Sequence, residues 1–255
     1  MRIVRLLDFP IDDGEIRPTS APAYNALADL TRETRFGQRR WRAEKVRRSR
    51  LLSANMRRPG NGGWPVMLDL QREQFEHDER FHREILRLSI HARLNHMALH
   101  YCKYTGQFAI VCAAADNALR SRTITDSFII SLCAANALNL SLSETIADPS
   151  ESVLLCDLGQ SLSRRLYPKT TLNDHWLLIE HAVYSGKMAR ACEKIDHLEA
   201  FPFREEARAA VIRLCQIALI AANVNSIDLL YEARERRSGI RRGNPFLTAL
   251  SRRED

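Results

Sequence analysis

Glycine and proline are scarce, ten and nine residues respectively in a chain of 255. So few turn formers leave little room for a many-stranded sheet and favour long helices joined at few corners. Aromatic residues are sparse too, at 7%, so aliphatic side chains and alanine must supply most of any core. The six cysteines, Cys102, Cys112, Cys133, Cys156, Cys192 and Cys215, include no Cys-x-x-Cys pair, which removes the common zinc-ribbon and thioredoxin signatures. All six lie in apolar, helix-like surroundings and are expected to be buried free thiols of a reducing compartment. No uninterrupted apolar run reaches the ~18 residues of a membrane span, so no membrane partner is expected. Asp8, Asp12, Asp13 and Glu15 make the start of the chain too acidic for a secretory or transit peptide, and the expected location is cytoplasmic. Gly-x-Ser-x-Gly, Walker and Gly-x-Gly-x-x-Gly motifs are absent, which argues against a nucleophile-elbow hydrolase, a P-loop enzyme and a dinucleotide-binding fold.

What is present is an ordinary apolar fraction of 45% and a net charge of +7 that is unevenly placed. Between Arg32 and Arg58 stand eleven Lys or Arg against only Glu33 and Glu44, a local charge of +9 that leaves −2 for the rest. Arg39, Arg40, Arg42, Lys45, Arg47, Arg48 and Arg50 can coat a helix, with Trp41 beside them. Such a stripe meets nucleic-acid phosphates by counterion release, and the tryptophan can stack on a base. An acidic protein surface is the other partner it would suit. Arg234, Arg236, Arg237, Arg241 and Arg242 offer a second basic patch near the C-terminus.

Pro59-Gly60-Asn61-Gly62-Gly63 and Pro65 break any helix and set a boundary. Four regions follow: an N-terminal arm and basic helical region over 1–64, helical units over 65–150 and 151–237, and a basic, flexible tail over 238–255. The periodicity predicts helices over 68–88, 89–115, 125–140, 150–166, 171–199, 204–222 and 226–237. Ser141-Leu142-Ser143-Glu144 fits a capping box, Thr171 or Asn173 can cap the helix that follows, and Ser226 can cap the last one.

Two stretches repeat with an offset of about 80 residues. Lys103-Tyr104-Thr105-Gly106-Gln107-Phe108-Ala109 precedes Ala134-Ala135-Asn136, and Val183-Tyr184-Ser185-Gly186-Lys187-Met188-Ala189 precedes Ala221-Ala222-Asn223. The pattern predicts a duplicated helical hairpin. A glycine inside a helix costs about 1 kcal/mol relative to alanine. Its recurrence at 106 and 186 suggests a close helix crossing or a backbone near a ligand.

These stretches resemble the MazG-like all-α nucleoside triphosphate pyrophosphohydrolases over about residues 90–148, and more weakly over 175–237. The likeness lies in the hydrophobic pattern, the helical glycine and the Ala135-Asn136 pair followed by Leu140 and Leu142. It implies an all-α fold, tandem hairpins forming a MazG-like helical bundle, to which the charge pattern adds a basic N-terminal arm. In that family a Glu-Glu-x-x-Glu motif and a Glu-x-x-Asp motif hold Mg²⁺ against a triphosphate. Here the first motif falls on Lys103, Tyr104 and Gln107, and in the second unit on Val183, Tyr184 and Lys187. The other motif becomes Thr123 and Asp126, so only Asp126 survives. A lysine repels a cation, and one aspartate cannot assemble a two-metal site. The resemblance therefore implies a relative that has lost its metal, with Lys103, Tyr104, Gln107, Asp126, Tyr184 and Lys187 as candidate nucleotide contacts. Each tyrosine can equally pack at a helix crossing.

Other constellations are weaker. His96 and His100 share a helix face at i,i+4, with His91 on the same helix, but no glutamate between them makes a zincin pattern. Glu79 and His82 match half of a ferritin-like di-metal unit whose second copy is missing, and with Glu76 they suit a solvated helix face. His77-Asp78 lacks the upstream histidine of the HD phosphohydrolases. No metal ligand or resident cofactor is assigned. The expected function is a non-catalytic binding or scaffold protein, assembling as a homo-oligomer through its helical body and holding nucleic acid or another polyanion through the arm. The alternatives are a Mg²⁺-dependent pyrophosphohydrolase recruiting ligands from Asp116, Asp126 and Glu144 or from a partner subunit, or a nucleotide-sensing regulator.

Overall fold

The computed structural model of the protein describes residues 66–146, 154–197 and 199–243, the side chains of 241–243 excepted. The basic arm, Arg39 to Arg50 with Trp41, lies outside the described residues, as does the rest of 1–65. The described residues are all-α and contain no strand. In chain order the helices are α1 (Val66–Phe81), α2 (Arg83–Leu86), α3 (Ile90–Ala114), α4 (Asn117–Ala137), α5 (Leu142–Ile146), α6 (Leu155–Leu166), α7 (Asp174–Asp196), α8 (Phe203–Val224) and α9 (Leu229–Gly243).

Four long helices, α3, α4, α7 and α8, form the body. α3 and α4 pack as an antiparallel pair, as do α7 and α8, and the two pairs meet through α3 against α7 and α4 against α8. Leu94, Tyr101, Phe108, Phe128, Leu132 and Met188 are each at most 2% exposed in the shared core. α4 and α8 are enclosed on nearly all sides toward their C-terminal ends, because α1 packs outside α4 and α6 outside α8. A helix apolar around its whole circumference must be covered in this way. By length and composition α8 could also cross a membrane, but 67% of its apolar window is buried inside the fold.

Local chemistry sets the helix ends. The Ser89 hydroxyl accepts from Ala92 N–H (3.2 Å), and the Asn173 side chain, rather than Thr171, accepts from Trp176 N–H (2.9 Å). The Ser141 hydroxyl accepts weakly from Glu144 N–H at 3.4 Å. α4 starts well before Thr125, because the Asp116 carboxylate caps it by accepting from Ala118 and Leu119 N–H (both 2.9 Å). Ser226 does not cap α9: the Asp228 carboxylate does, accepting from Tyr231 N–H (3.1 Å). The helix expected over 68–88 breaks at His82, and α9 continues past Arg237 to Gly243.

The two Ala-Ala-Asn sequences end their helices identically. Leu140 N–H donates to Ala135 C=O (2.9 Å) and Asn139 N–H to Asn136 C=O (3.2 Å); Ile227 N–H donates to Ala222 C=O (2.8 Å) and Ser226 N–H to Asn223 C=O (3.1 Å). Asn139 and Ser226 both take positive φ, 50° and 55°. Each is a Schellman ending, and each is followed by a helix, at Leu142 and Leu229.

Two sequence expectations fail in packing. A Cβ at Gly106 or Gly186 would meet nothing within 4 Å, so neither marks a close crossing. The close approach is at Gly159 of α6, where a Cβ would stand 2.5 Å from the Leu219 carbonyl oxygen. Of the six free cysteines, Cys133, Cys192 and Cys215 are buried, but Cys102, Cys112 and Cys156 are exposed.

Candidate functional site

The helix break at His82 opens space between α1–α2, α3, α4 and the far end of α9. A cavity of about 240 Å³ lies there. Its apolar lining comes from Ile85, Leu86, Met97, Ile129, Ile130 and Ile240. Its polar lining holds four histidines, His77, His82, His96 and His100, together with Arg93, Lys103, Tyr104, Asp126, Arg236, Arg237, Asp78 and Gln74.

Three of the candidate nucleotide contacts therefore converge on one cavity: Lys103, Tyr104 and Asp126. Tyr104 is buried, with the Lys103 ammonium 4.5 Å from its ring centroid and its hydroxyl 3.3 Å from His100 Nδ1. Burial, reinforced by the Asp126 carboxylate, pushes the phenol well above its usual range. Asp126 is not a spare metal ligand. The Arg236 guanidinium grips both its oxygens, donating to Oδ1 at 2.8 Å and Oδ2 at 3.2 Å. That bidentate fork takes one lone pair of each oxygen, and its positive charge opposes a second cation at the same carboxylate.

Gln107 stays outside the cavity lining and accepts from the Thr123 hydroxyl (3.2 Å). Tyr184 and Lys187 do not join the site either. The ring of Tyr184 is covered by the Lys187 ammonium (4.7 Å) and the Arg213 guanidinium (5.2 Å). Arg213 also donates to the Tyr167 hydroxyl (2.8 Å), and the Tyr167 ring packs on Trp176. Tyr184 thus packs within a cluster of Lys187, Arg213, Tyr167 and Trp176.

The Mg²⁺ set imagined from Asp116, Asp126 and Glu144 is not assembled. Ten residues along α4 separate Asp116 from Asp126 by about 15 Å of helix axis, and only Asp126 lines the cavity. The second basic patch is also largely committed. Arg234 and Arg237 both pair with Glu73 of α1, and Arg236 with Asp126 of α4. These pairs dock α9 on the bundle; the side chains of Arg241 and Arg242 lie outside the described residues.

The histidines fall into two groups. His96 Nε2 and His100 Nε2 stand 3.2 Å apart across one turn of α3. Burial, then the Lys103 ammonium, lowers His100 to about 4, so it is neutral at physiological pH. His77 belongs to α1 and is 8% exposed, and neither of its ring nitrogens has a hydrogen-bond partner. Arg93 Nε is similarly buried without one. The sequence placed His77, His82, His96 and His100 in separate weak motifs. Their common cavity could not be found from spacing within any single helix.

Comparison of the chain with family models, with curated proteins and with solved structures gives no match.

Proposed function

We propose that the protein is a non-catalytic helical binding protein whose cavity takes an anionic ligand with an aromatic part, a nucleotide being the class that suits it. The observation that carries this reading is the convergence of Lys103, Tyr104 and the Asp126–Arg236 pair on a partly apolar cavity. Arg93 and Lys103 supply positive charge for phosphate, and the aliphatic lining suits a ring. A pocket of few polar groups on an apolar wall is the usual form of a small-molecule site. The captured state of Asp126 favours binding over Mg²⁺-assisted hydrolysis, in line with a MazG-like body that has lost its metal carboxylates. The matched Schellman endings support the reading of a duplicated hairpin.

Assembly and polyanion contact complete the proposal. Leu99 and Ile179, 80 residues apart on α3 and α7, are 70% and 48% exposed and offer apolar area for a homo-oligomer. The Arg39–Arg50 arm would hold nucleic acid or an acidic surface, a reading that rests on its charge alone.

Calorimetric titration with ATP, with and without Mg²⁺, tests the cavity. Binding that needs no Mg²⁺, releases no pyrophosphate and weakens roughly tenfold in Lys103→Ala is the expected result; a charge-assisted contact is worth about 1.5 kcal/mol or more. No binding of ATP removes the nucleotide reading. Pyrophosphate release abolished by Asp126→Ala restores the enzyme.

A further inference from the structure

Four of the chain's eight histidines line one cavity, and one of them is anomalous. His77 is nine-tenths buried, yet among the described residues neither of its nitrogens has a hydrogen-bond partner. Buried polar atoms are nearly always satisfied, so a nitrogen pair left bare in a cavity wall points to an absent partner. The Asp78 carboxylate stands beside His77, with Oδ1 3.7 Å from Nδ1. That is too long for a hydrogen bond, but close to the separation of about 3.4 Å expected between two ligands on a tetrahedral ion with ~2.0–2.1 Å bonds.

His82 completes the group through the helix break. On an uninterrupted helix it would lie about 140° around the axis from His77. α1 instead ends at Phe81, and His82 leaves the helical path with φ −133° and ψ 38°. One ligand atom each from His77, Asp78 and His82 then lie within 4.8 Å of one another. An outer layer holds the carboxylate: Gln74 Nε2 donates to Asp78 Oδ1 (2.8 Å), and Arg237 donates to Gln74 Oε1 (3.3 Å). Such supporting hydrogen bonds accompany metal ligands and orient them.

We propose that His77, Asp78 and His82 bind a divalent transition-metal ion of the zinc class, with a further coordination position open to the cavity. Two imidazoles and one carboxylate suit Zn²⁺ and its neighbours. Mg²⁺ and Ca²⁺ require sets of oxygen ligands that this cluster does not offer. The partner of His82 is thus the His77-Asp78 pair rather than Glu79. The inference does not depend on the nucleotide reading, since the ion itself is the ligand.

Zn²⁺ alone is the probe. The full chain, stripped with chelator and dialysed, should take up one Zn²⁺ per chain by calorimetry. Co²⁺ in its place should develop the visible d–d bands of a tetrahedral field. His82→Ala and Asp78→Asn should each weaken binding roughly tenfold or more. His82 is partly exposed, so its removal should spare the fold, and circular dichroism is the check on that. His91→Ala and His197→Ala, outside the cavity, should change nothing. A stripped, folded chain that binds no stoichiometric Zn²⁺ would overturn the proposal. So would binding undiminished by His82→Ala and Asp78→Asn, or binding lost only in His96→Ala, which would move the ion to the α3 pair.

Discussion

His181 sits in the middle of the bundle, 1% exposed, where α7 crosses α3 and α4. Its ring nitrogens are fully engaged: Thr105 Oγ1 lies 2.9 Å and Ser185 Oγ 3.2 Å from Nδ1, and Ser127 Oγ lies 3.1 Å from Nε2. Phe108 and Tyr101 pack edge-on against the ring. With no carboxylate to offset it, burial lowers the pKa to about 3. The unfolded chain takes up a proton near 6.5 that the native chain refuses until about 3. Stability from this group is therefore complete above about pH 6.5 and drains as pH falls toward 3. His100, held to about 4 mainly by burial, acts in the same direction. Urea midpoints measured from pH 7 to pH 4 should fall, and His181→Gln should flatten that fall while costing about 1–3 kcal/mol at neutral pH. A wild-type midpoint that holds steady across this range would count against the assignment. His77 shows the opposite condition, also buried, at 8% exposed, yet without a hydrogen-bond partner among the described residues, and the contrast between the two is what makes His77 informative. Neither condition could be read from sequence, because both depend on side chains that other helices bring to the ring.

At the scale of elements, the all-α class, the long α3 and α7 and the matched corners after Ala-Ala-Asn were legible, because each depends on residues adjacent in the chain. Of Thr171 and Asn173, the latter caps, as a short polar side chain directly ahead of an apolar periodic run. The start of α4 was not legible, because Arg120, Ser121 and Arg122 dilute the apolar period that Asp116 nevertheless initiates. The role of the glycines was misjudged for a similar reason. Helical periodicity does not say which face meets a neighbour. Gly106 and Gly186 face open space, whereas Gly159 lets α6 lie against the α8 backbone, with Asn223 Cβ 3.0 Å from where its own Cβ would be. Replacing Gly159 with alanine should force these helices apart and cost about 1–3 kcal/mol. Gly106→Ala and Gly186→Ala should instead stabilise by up to about 1 kcal/mol, since only helix propensity changes. Thermal melts of the three variants decide the matter. A neutral Gly159→Ala would mean that α6 does not approach α8 closely in solution.

Across the whole molecule, charge is divided by region. The arm carries +9 and the remainder −2. Within the described residues, Arg120 pairs with Asp174, Arg213 with Glu180, Arg234 and Arg237 with Glu73, and Arg236 with Asp126. These five guanidinium groups hold helices together, and the residues outside the arm carry no net positive charge. Of the residues that the sequence singles out, Lys103, Tyr104 and Asp126 share one cavity, while its histidine lining was not legible, because α1, α3 and the break at His82 each contribute a part. The proposed division of labour places small-ligand binding in the cavity and polyanion binding in the arm. It follows that the two should be separable by mutation. Binding to duplex DNA should show a steep dependence on salt, and removing Arg39, Arg40, Arg47 and Arg48 together should reduce the slope of log K against log salt by about 3.6, at about 0.9 per phosphate contact. ATP affinity should be unaltered in the same variant, because the reading assigns the cavity contacts to other residues, Arg93, Lys103 and Tyr104. A salt slope that survives the loss of all four arginines would place the polyanion elsewhere on the chain. A joint loss of DNA and ATP binding would mean that arm and cavity act as one site.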